Sequence, residues 1–157
     1  MRLYLFRHGE ATSDAENPKR PLGAAGRAQV EQMARHLARV AAAPEGLAVR
    51  HSGKLRAAQT ADVLAAHLPL RQPPQQADGL APGDPPECTL DLIDAAESDL
   101  MLVGHLPHLG RLASLLLSGE SDRISLVLPA AAVVCLEAES GRWRLHWLIT
   151  PALISEL

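Results

Sequence analysis

The sequence predicts an α/β fold: one domain over residues 1–157, a three-layer sandwich whose mostly parallel central sheet carries helices on both faces. Three observations predict it. Short apolar runs at 3–6, 47–50 and 100–103 read as strands, two of them apolar throughout as strands buried on both faces are. Between them lie longer stretches whose apolar residues recur at helical spacing, and that alternation marks parallel strands joined by helices. The chain has 157 residues, 47% of them hydrophobic, which suits a single packed domain.

Taken in order, Leu3, Tyr4, Leu5 and Phe6 form the first strand, ending at Arg7-His8-Gly9-Glu10. Residues 11–23 are polar and contain Asn17-Pro18 and Arg20-Pro21, so they predict a loop. A helix is expected over 24–43, with Val30, Met33, Ala34, Leu37 and Val40 as its inner stripe and Ala43-Pro44-Glu45-Gly46 as its stop. The second strand, 47–50, runs into His51-Ser52-Gly53. Ser52 suits the N-cap of a second helix over 54–68, with Ala57, Ala61, Leu64 and Leu68 facing inward. Residues 69–87 hold six of the 12 prolines, with Gly79 and Gly83, and predict a long loop without regular structure.

A short helix is expected over 89–97, capped by Thr89. The third strand, 100–103, ends at Gly104-His105, and Pro107 opens the following helix. Leu109, Leu112, Ala113 and Leu116 supply its buried stripe, and Ser118-Gly119 ends it. Strands at 132–137 and 143–149, around Ser140-Gly141, complete a sheet that this terminal hairpin makes mixed.

Composition narrows the function. A formal charge of −3 gives no basic excess for nucleic acid. No apolar run reaches the ~18 residues that span a bilayer, and no secretory signal opens the chain. Cys88 and Cys135 lack C-x-x-C spacing, so they predict two ordinary thiols in a reducing compartment rather than a disulfide or zinc site. A soluble, cytoplasmic monomer is the expectation.

Each of the three α/β units places polar groups at the carboxyl end of its strand: Arg7 and His8, then Ser52 and Arg56, then His105. Ligands of open α/β sheets bind there. Two arginines and two histidines without a required carboxylate call for an anion, phosphate or sulfate. Arginine presents a permanently charged planar fork to such oxygens. A neutral imidazole held beside a phosphoryl group can attack phosphorus, and neighbouring guanidinium groups favour the neutral form.

Arg7-His8-Gly9-Glu10 after a strand resembles the RHG motif of the histidine phosphatase superfamily, with its phosphoglycerate mutase-like fold. Leu22, Gly26 and Gln29 match that family's L-x-x-x-G-x-x-Q. The segment Ser52-Gly53-Lys54-Leu55-Arg56-Ala57-Ala58-Gln59-Thr60 is similar to its S-P-x-x-R-A-x-Q-T, and Val103-Gly104-His105-Leu106-Pro107 to its V-G-H-x-P. The short chain, Arg20-Pro21-Leu22 and GHLP resemble the SixA-like phosphohistidine phosphatases within it. The resemblance implies His8 as nucleophile, with Arg7, Arg56 and His105 holding phosphoryl oxygens and Arg20 reaching phosphate or substrate. It implies neither metal nor cofactor. The expected partner is a phosphorylated histidine-containing protein of phosphorelay or phosphotransferase type.

The departures carry expectations of their own. Ser52-Gly53 replaces Ser-Pro, which should loosen that turn. Gly23 stands where R-P-L-T has threonine. No acid sits in a clear motif; among Asp78, Asp84 and Glu87, Asp84 is the candidate general acid. A weak acid favours a phosphoramidate substrate, because an alkoxide leaving group needs a proton that nitrogen can take from solvent. Glu10 is assigned no step. His36, His67 and Lys54 are expected on the surface and His146 in a structural role, while His51 and His108 stay open. Three other readings stay open too: a small-molecule phosphomonoesterase of the same fold, a phosphohistidine-binding regulator, and a metal-dependent hydrolase using His105 and His108.

Overall fold

The computed structural model describes residues 1–40 and 44–155. Its six-stranded sheet contains β1 (Arg2–Arg7), β2 (Ala48–His51), β3 (Gln75–Gln76), β4 (Leu100–Gly104), β5 (Val133–Glu139) and β6 (Arg142–Ile149). The order is β3-β2-β4-β1-β5-β6. β1, β2, β3 and β4 run parallel; β5 is antiparallel to β1 and forms a hairpin with β6. The turn between β5 and β6 takes Ser140 and Gly141 through positive φ. The mixed sheet expected from the sequence is present.

The helices are α1 (Ala24–Arg39), α2 (Leu55–Ala65), α3 (Leu90–Asp94), α4 (His108–Ser118) and α5 (Pro151–Ile154). The alternation of β1 side chains decides the layers. Tyr4 and Phe6 join one buried cluster with Val30, Met33, Leu37, Ala61 and Leu64 from α1 and α2. Leu3 and Leu5 join another with Ile93, Leu109, Leu112 and Ala113 from α3 and α4. Every one of these β1 side chains is fully buried. Together the two clusters hold the sheet between two helical layers.

Several local expectations are corrected. Val40 is 49% exposed and forms the C-cap of α1, so the stripe ends at Leu37; positions 41–43, where the sequence extends the helix, lie outside the described residues. Lys54, not Ser52, occupies the N-cap position of α2, without a side-chain cap. The loop after α2 contains the short strand β3 and a 3₁₀ turn over Pro86–Thr89. Pro tolerates both: Gln75 and Gln76 follow Pro74 and keep their own N–H groups for pairing, and Pro86 stands where an N–H has no helical partner. Thr89 occupies the N-cap position of α3 as expected, but without a side-chain cap bond; its hydroxyl donates to the Gly79 carbonyl at 3.0 Å. His146, expected in a structural role, is exposed on β6 with Nδ1 3.9 Å from Glu137 on the paired strand β5. The sequence reading did not include α5, whose first residue is Pro151.

Candidate active site

β4 lies between β1 and β2, so all three polar strand ends are neighbours. Arg7 pairs with Gly104. The His8 N–H then donates to the Gly104 carbonyl at 3.0 Å and carries the β1–β4 ladder one rung further. This brings the rings of His8 and His105 to 4.9 Å between centroids, tilted by 55°.

Gly9 is required where it stands. A Cβ there would lie 2.7 Å from Val30 Cγ2 and 2.8 Å from the Gly26 carbonyl. A Cβ on Gly26 would in turn overlap the backbone of Glu10. This glycine pair lets the chain leaving β1 press directly onto α1.

Two motif side chains tie the segments together. Thr60 Oγ1 accepts the Gly9 N–H at 3.1 Å and donates to the Arg56 carbonyl at 2.7 Å. Gln59 Oε1 accepts the Leu22 N–H at 2.8 Å. Thr60 therefore clamps the first turn of α2, which carries Arg56, against the turn that carries His8. The loop before α1 is drawn in by a bridge between Ala11 and Leu22, which returns Arg20 to the site. There the Arg20 Nε–H donates to the Thr12 carbonyl at 3.1 Å, and Asp14 lies 3.8 Å away.

Arg7, His8, Arg20, Arg56, Pro82, His105 and Leu106 line a pocket of about 330 Å³. Arg7 Nη1 donates to the Leu128 carbonyl at 2.7 Å, which fixes the guanidinium. Arg7 Nε, Arg56 Nε and His105 Nδ1 are buried and have no hydrogen-bond partner among the described residues. Neither Arg7 nor Arg56 forms an ion pair among the described residues. Buried donors without acceptors are costly unless a ligand meets them, and a tetrahedral oxyanion supplies several acceptors. A larger groove of about 410 Å³ lies on the outer face of α1 beside Ile154. Its basic groups are already partnered along α1: Glu31 lies 3.9 Å from Arg35, and Arg39 Nη2 lies 3.2 Å from His36 Nδ1.

The electrostatics favour neutral imidazoles. Burial, followed by Arg56, Arg7 and Arg20, pushes His8 down to about 4, against the opposing pull of the Gly9 carbonyl. Burial therefore outweighs the guanidinium groups, which act in the same direction. His105 is pushed down to about 3, again chiefly by burial, with His8, Arg56 and Lys54 adding to it. His8 Nδ1 lies 2.6 Å from the Gly9 carbonyl. In a neutral ring that nitrogen must carry the proton, because a carbonyl only accepts. Nε2 is left with a free lone pair.

Other residues singled out from the sequence fall elsewhere. Asp84 Oδ2 accepts the Ala81 N–H at 2.9 Å, within its own loop. Asp78, Asp84 and Glu87 are all absent from the pocket wall. His105 Nε2 faces Ser52 Oγ at 2.6 Å, and the fully buried His108 Nε2 faces Thr89 Oγ1 at 2.9 Å. His108 thus ties α4 to the proline-rich loop. Among the described residues no three His, Cys, Asp or Glu side chains gather in a metal-binding arrangement. Gly53 has φ +83°, its N–H donates to His51 Nδ1 at 3.1 Å, and the Gln76 side chain packs over it. The turn expected to be loose is held by contacts that proline could not make. Glu10 is exposed and contributes its backbone, accepting the Gly23 N–H at 3.0 Å. Gln59, Thr60 and Ser52 were present in the motif string, but no sequence signal told which backbone or ring each one meets.

The doubly covered sheet gathers Arg7, His8, Arg56 and His105 at three adjacent strand ends, a donor set that suits a tetrahedral oxyanion. The family model of the histidine phosphatase superfamily (branch 1) matches residues 3–82, and the chain belongs to that superfamily. It is accordingly a hydrolase of the phosphatase class. An uncharacterised protein of Picosynechococcus sp. (strain ATCC 27264 / PCC 7002 / PR-6) is 35% identical over 93% of this chain and 90% of its own length. The protein histidine phosphatase SixA complexed with tungstate superposes with a TM-score of 0.87 at 24% identity, covering 99% of this chain and 100% of the other. A protein from Agrobacterium tumefaciens, assigned as a phosphohistidine phosphatase SixA, gives 0.77 at 26% identity over 96% and 97%. The phosphoglycerate mutase-like fold expected from the motifs is the fold of the chain. No helix among the described residues is long and apolar enough to cross a membrane.

Proposed function

We propose that this chain is a phosphohistidine phosphatase, removing the phosphoryl group from a histidine of a partner protein through a covalent phosphohistidine on His8. The observation that carries this reading is the makeup of the pocket wall. Arg7, His8, Arg20, Arg56 and His105 serve a phosphoryl group, which leaves only Pro82 and Leu106 to meet whatever it is attached to. A site that selects a metabolite needs polar groups aimed at its organic part. A protein-borne histidine needs few of them, since its carrier brings its own surface. The SixA structure is complexed with tungstate, a tetrahedral oxyanion, which supports an oxyanion as the ligand of a chain with this fold.

In the proposed reaction His8 Nε2 attacks phosphorus in line with the departing nitrogen. The N–P bond of the substrate breaks as the new N–P bond forms, and the departing imidazole takes a proton from solvent. Arg7, Arg56 and Arg20 balance the negative charge on the phosphoryl oxygens, with His105 as a further donor. Water then attacks phosphorus and His8 leaves as neutral imidazole, releasing inorganic phosphate. The absence of a carboxyl group from the pocket wall supports a nitrogen leaving group over an alkoxide.

The test is a comparison of phosphohistidine proteins, phosphoramidate and small phosphate esters, with His8→Ala alongside and EDTA present. Phosphohistidine turnover that persists in chelator and vanishes in His8→Ala is expected. Faster hydrolysis of a phosphate ester than of every phosphohistidine donor would point to a phosphomonoesterase instead. Phosphate binding without turnover would make the chain a binding regulator.

A further inference from the structure

Ser52 was expected to cap α2, yet it lies outside the helix and its hydroxyl has another partner. Ser52 Oγ is 2.6 Å from His105 Nε2. It also accepts the Lys54 N–H at 3.3 Å. A serine oxygen carries one proton and two lone pairs. Lys54 takes one lone pair, and among the described residues His105 Nε2 is the only acceptor within reach of the proton. Were Nε2 protonated instead, two donors would meet one oxygen and the hydroxyl proton would have no acceptor among the described residues.

On the reading that this pocket binds a phosphoryl group, we infer that Ser52 is a positioning residue: it donates to His105 Nε2, fixes the Nδ1–H tautomer, and thereby makes a neutral His105 a hydrogen-bond donor to the phosphoryl oxygens. Two observations at the other nitrogen agree. His105 Nδ1 is buried and has no hydrogen-bond partner among the described residues. The His105 ring lies on the pocket wall beside His8, and the residue is only 1% exposed. A phosphoryl oxygen accepting from Nδ1–H would satisfy this otherwise unmet polar group.

The two histidines then share a tautomer but use opposite nitrogens. The Gly9 carbonyl holds the proton on His8 Nδ1 and leaves Nε2 to attack. The Ser52 hydroxyl fills His105 Nε2 and leaves Nδ1–H to donate. Without Ser52, His105 would be free to take the other tautomer, presenting a lone pair to an anion and repelling it.

The test begins with long-range ¹H–¹⁵N correlation spectra of ¹⁵N-histidine protein near neutral pH, with and without inorganic phosphate. His105 is expected as Nδ1–H in both; an Nε2–H signal for His105 overturns the proposal. Ser52→Ala, verified as folded by its thermal melt, should lower kcat for phosphoramidate roughly ten-fold and mix the two tautomers. Ser52→Thr, which keeps the hydroxyl, should restore both readouts. In a His105→Ala background Ser52→Ala should add nothing, whereas an independent loss there would show that Ser52 acts by another route. The tautomer spectra do not depend on turnover, so an inactive wild-type protein would count against the proposed phosphatase reaction and leave this inference to be decided by the spectra.

Discussion

His8 and His105 stand ring to ring at 4.9 Å, and burial keeps both well below the ordinary imidazole range, at about 4 and about 3. In the unfolded chain both would titrate near ~6.5. As pH falls below that value the unfolded chain binds protons that the folded rings refuse. The stabilisation present above ~6.5 is therefore lost progressively as pH falls toward the folded values. At pH 5 the deficit should be on the order of 1 kcal/mol per ring, allowing for screening by solvent at the pocket mouth. Urea melts at pH 7.5 and pH 5 measure it, and His8→Ala should flatten the dependence. Imidazole C2–H shifts of both rings should stay level from pH 8 to pH 5 in the unliganded protein. A midpoint close to that of free imidazole in either ring would contradict the buried, neutral pair.

Thr60 is completely buried and joins Gly9 to Arg56 through one hydroxyl. Thr60→Val keeps the shape but strands the Gly9 N–H. Leaving a buried donor unmet costs about 1–3 kcal/mol. The variant should melt at lower temperature and lose activity as well, because the clamp sets the His8–Arg56 spacing. Unchanged kcat at a temperature where the variant remains folded would remove Thr60 from the catalytic geometry.

Gly53→Pro would restore the residue usual in the matching motif, and here it should be damaging. Proline locks φ near about −65° and carries no N–H, whereas Gly53 has φ +83° and donates to His51. Loss of stability and weaker phosphate binding are expected, measured by thermal melting and calorimetry. A more stable Gly53→Pro would mean that the turn readily adopts the proline form.

Asp84→Asn should leave turnover within about two-fold of wild type, since the amide oxygen can still accept the Ala81 N–H. A ten-fold loss confined to alkyl phosphates would restore Asp84 as a general acid.

The parts that could be read from the chain are those in which a residue's type and its place on an element carry the information. Buried runs ending in Arg7-His8, Ser52 and Gly104-His105 marked the strand ends, and helical spacing marked α1, α2 and α4. What escaped depends on which partner a side chain meets, near or far along the chain. Ser52 looks like a cap until β4 places His105 beside it. Thr60 and Gln59 look like helix residues until the Gly9 and Leu22 backbones reach them. Asp84 looked available because nothing in the sequence revealed that Ala81 already occupied its carboxylate. His108 stayed open for the same reason, its answer lying in the hydroxyl of Thr89.

The position of β4 between β1 and β2 also dictates an order of events. Leu3 can pair only after Leu100 has been made, and on its other side only after Leu136. Contacts that distant are slow to form because their loops must close first. On a ribosome His8 emerges well before β4, and its ring must wait for that strand before it meets His105. A nascent fragment ending before β4 would carry Arg7, His8 and Arg56 without the strand that seats them together. The pocket thus assembles only once β4 has taken its place between β1 and β2.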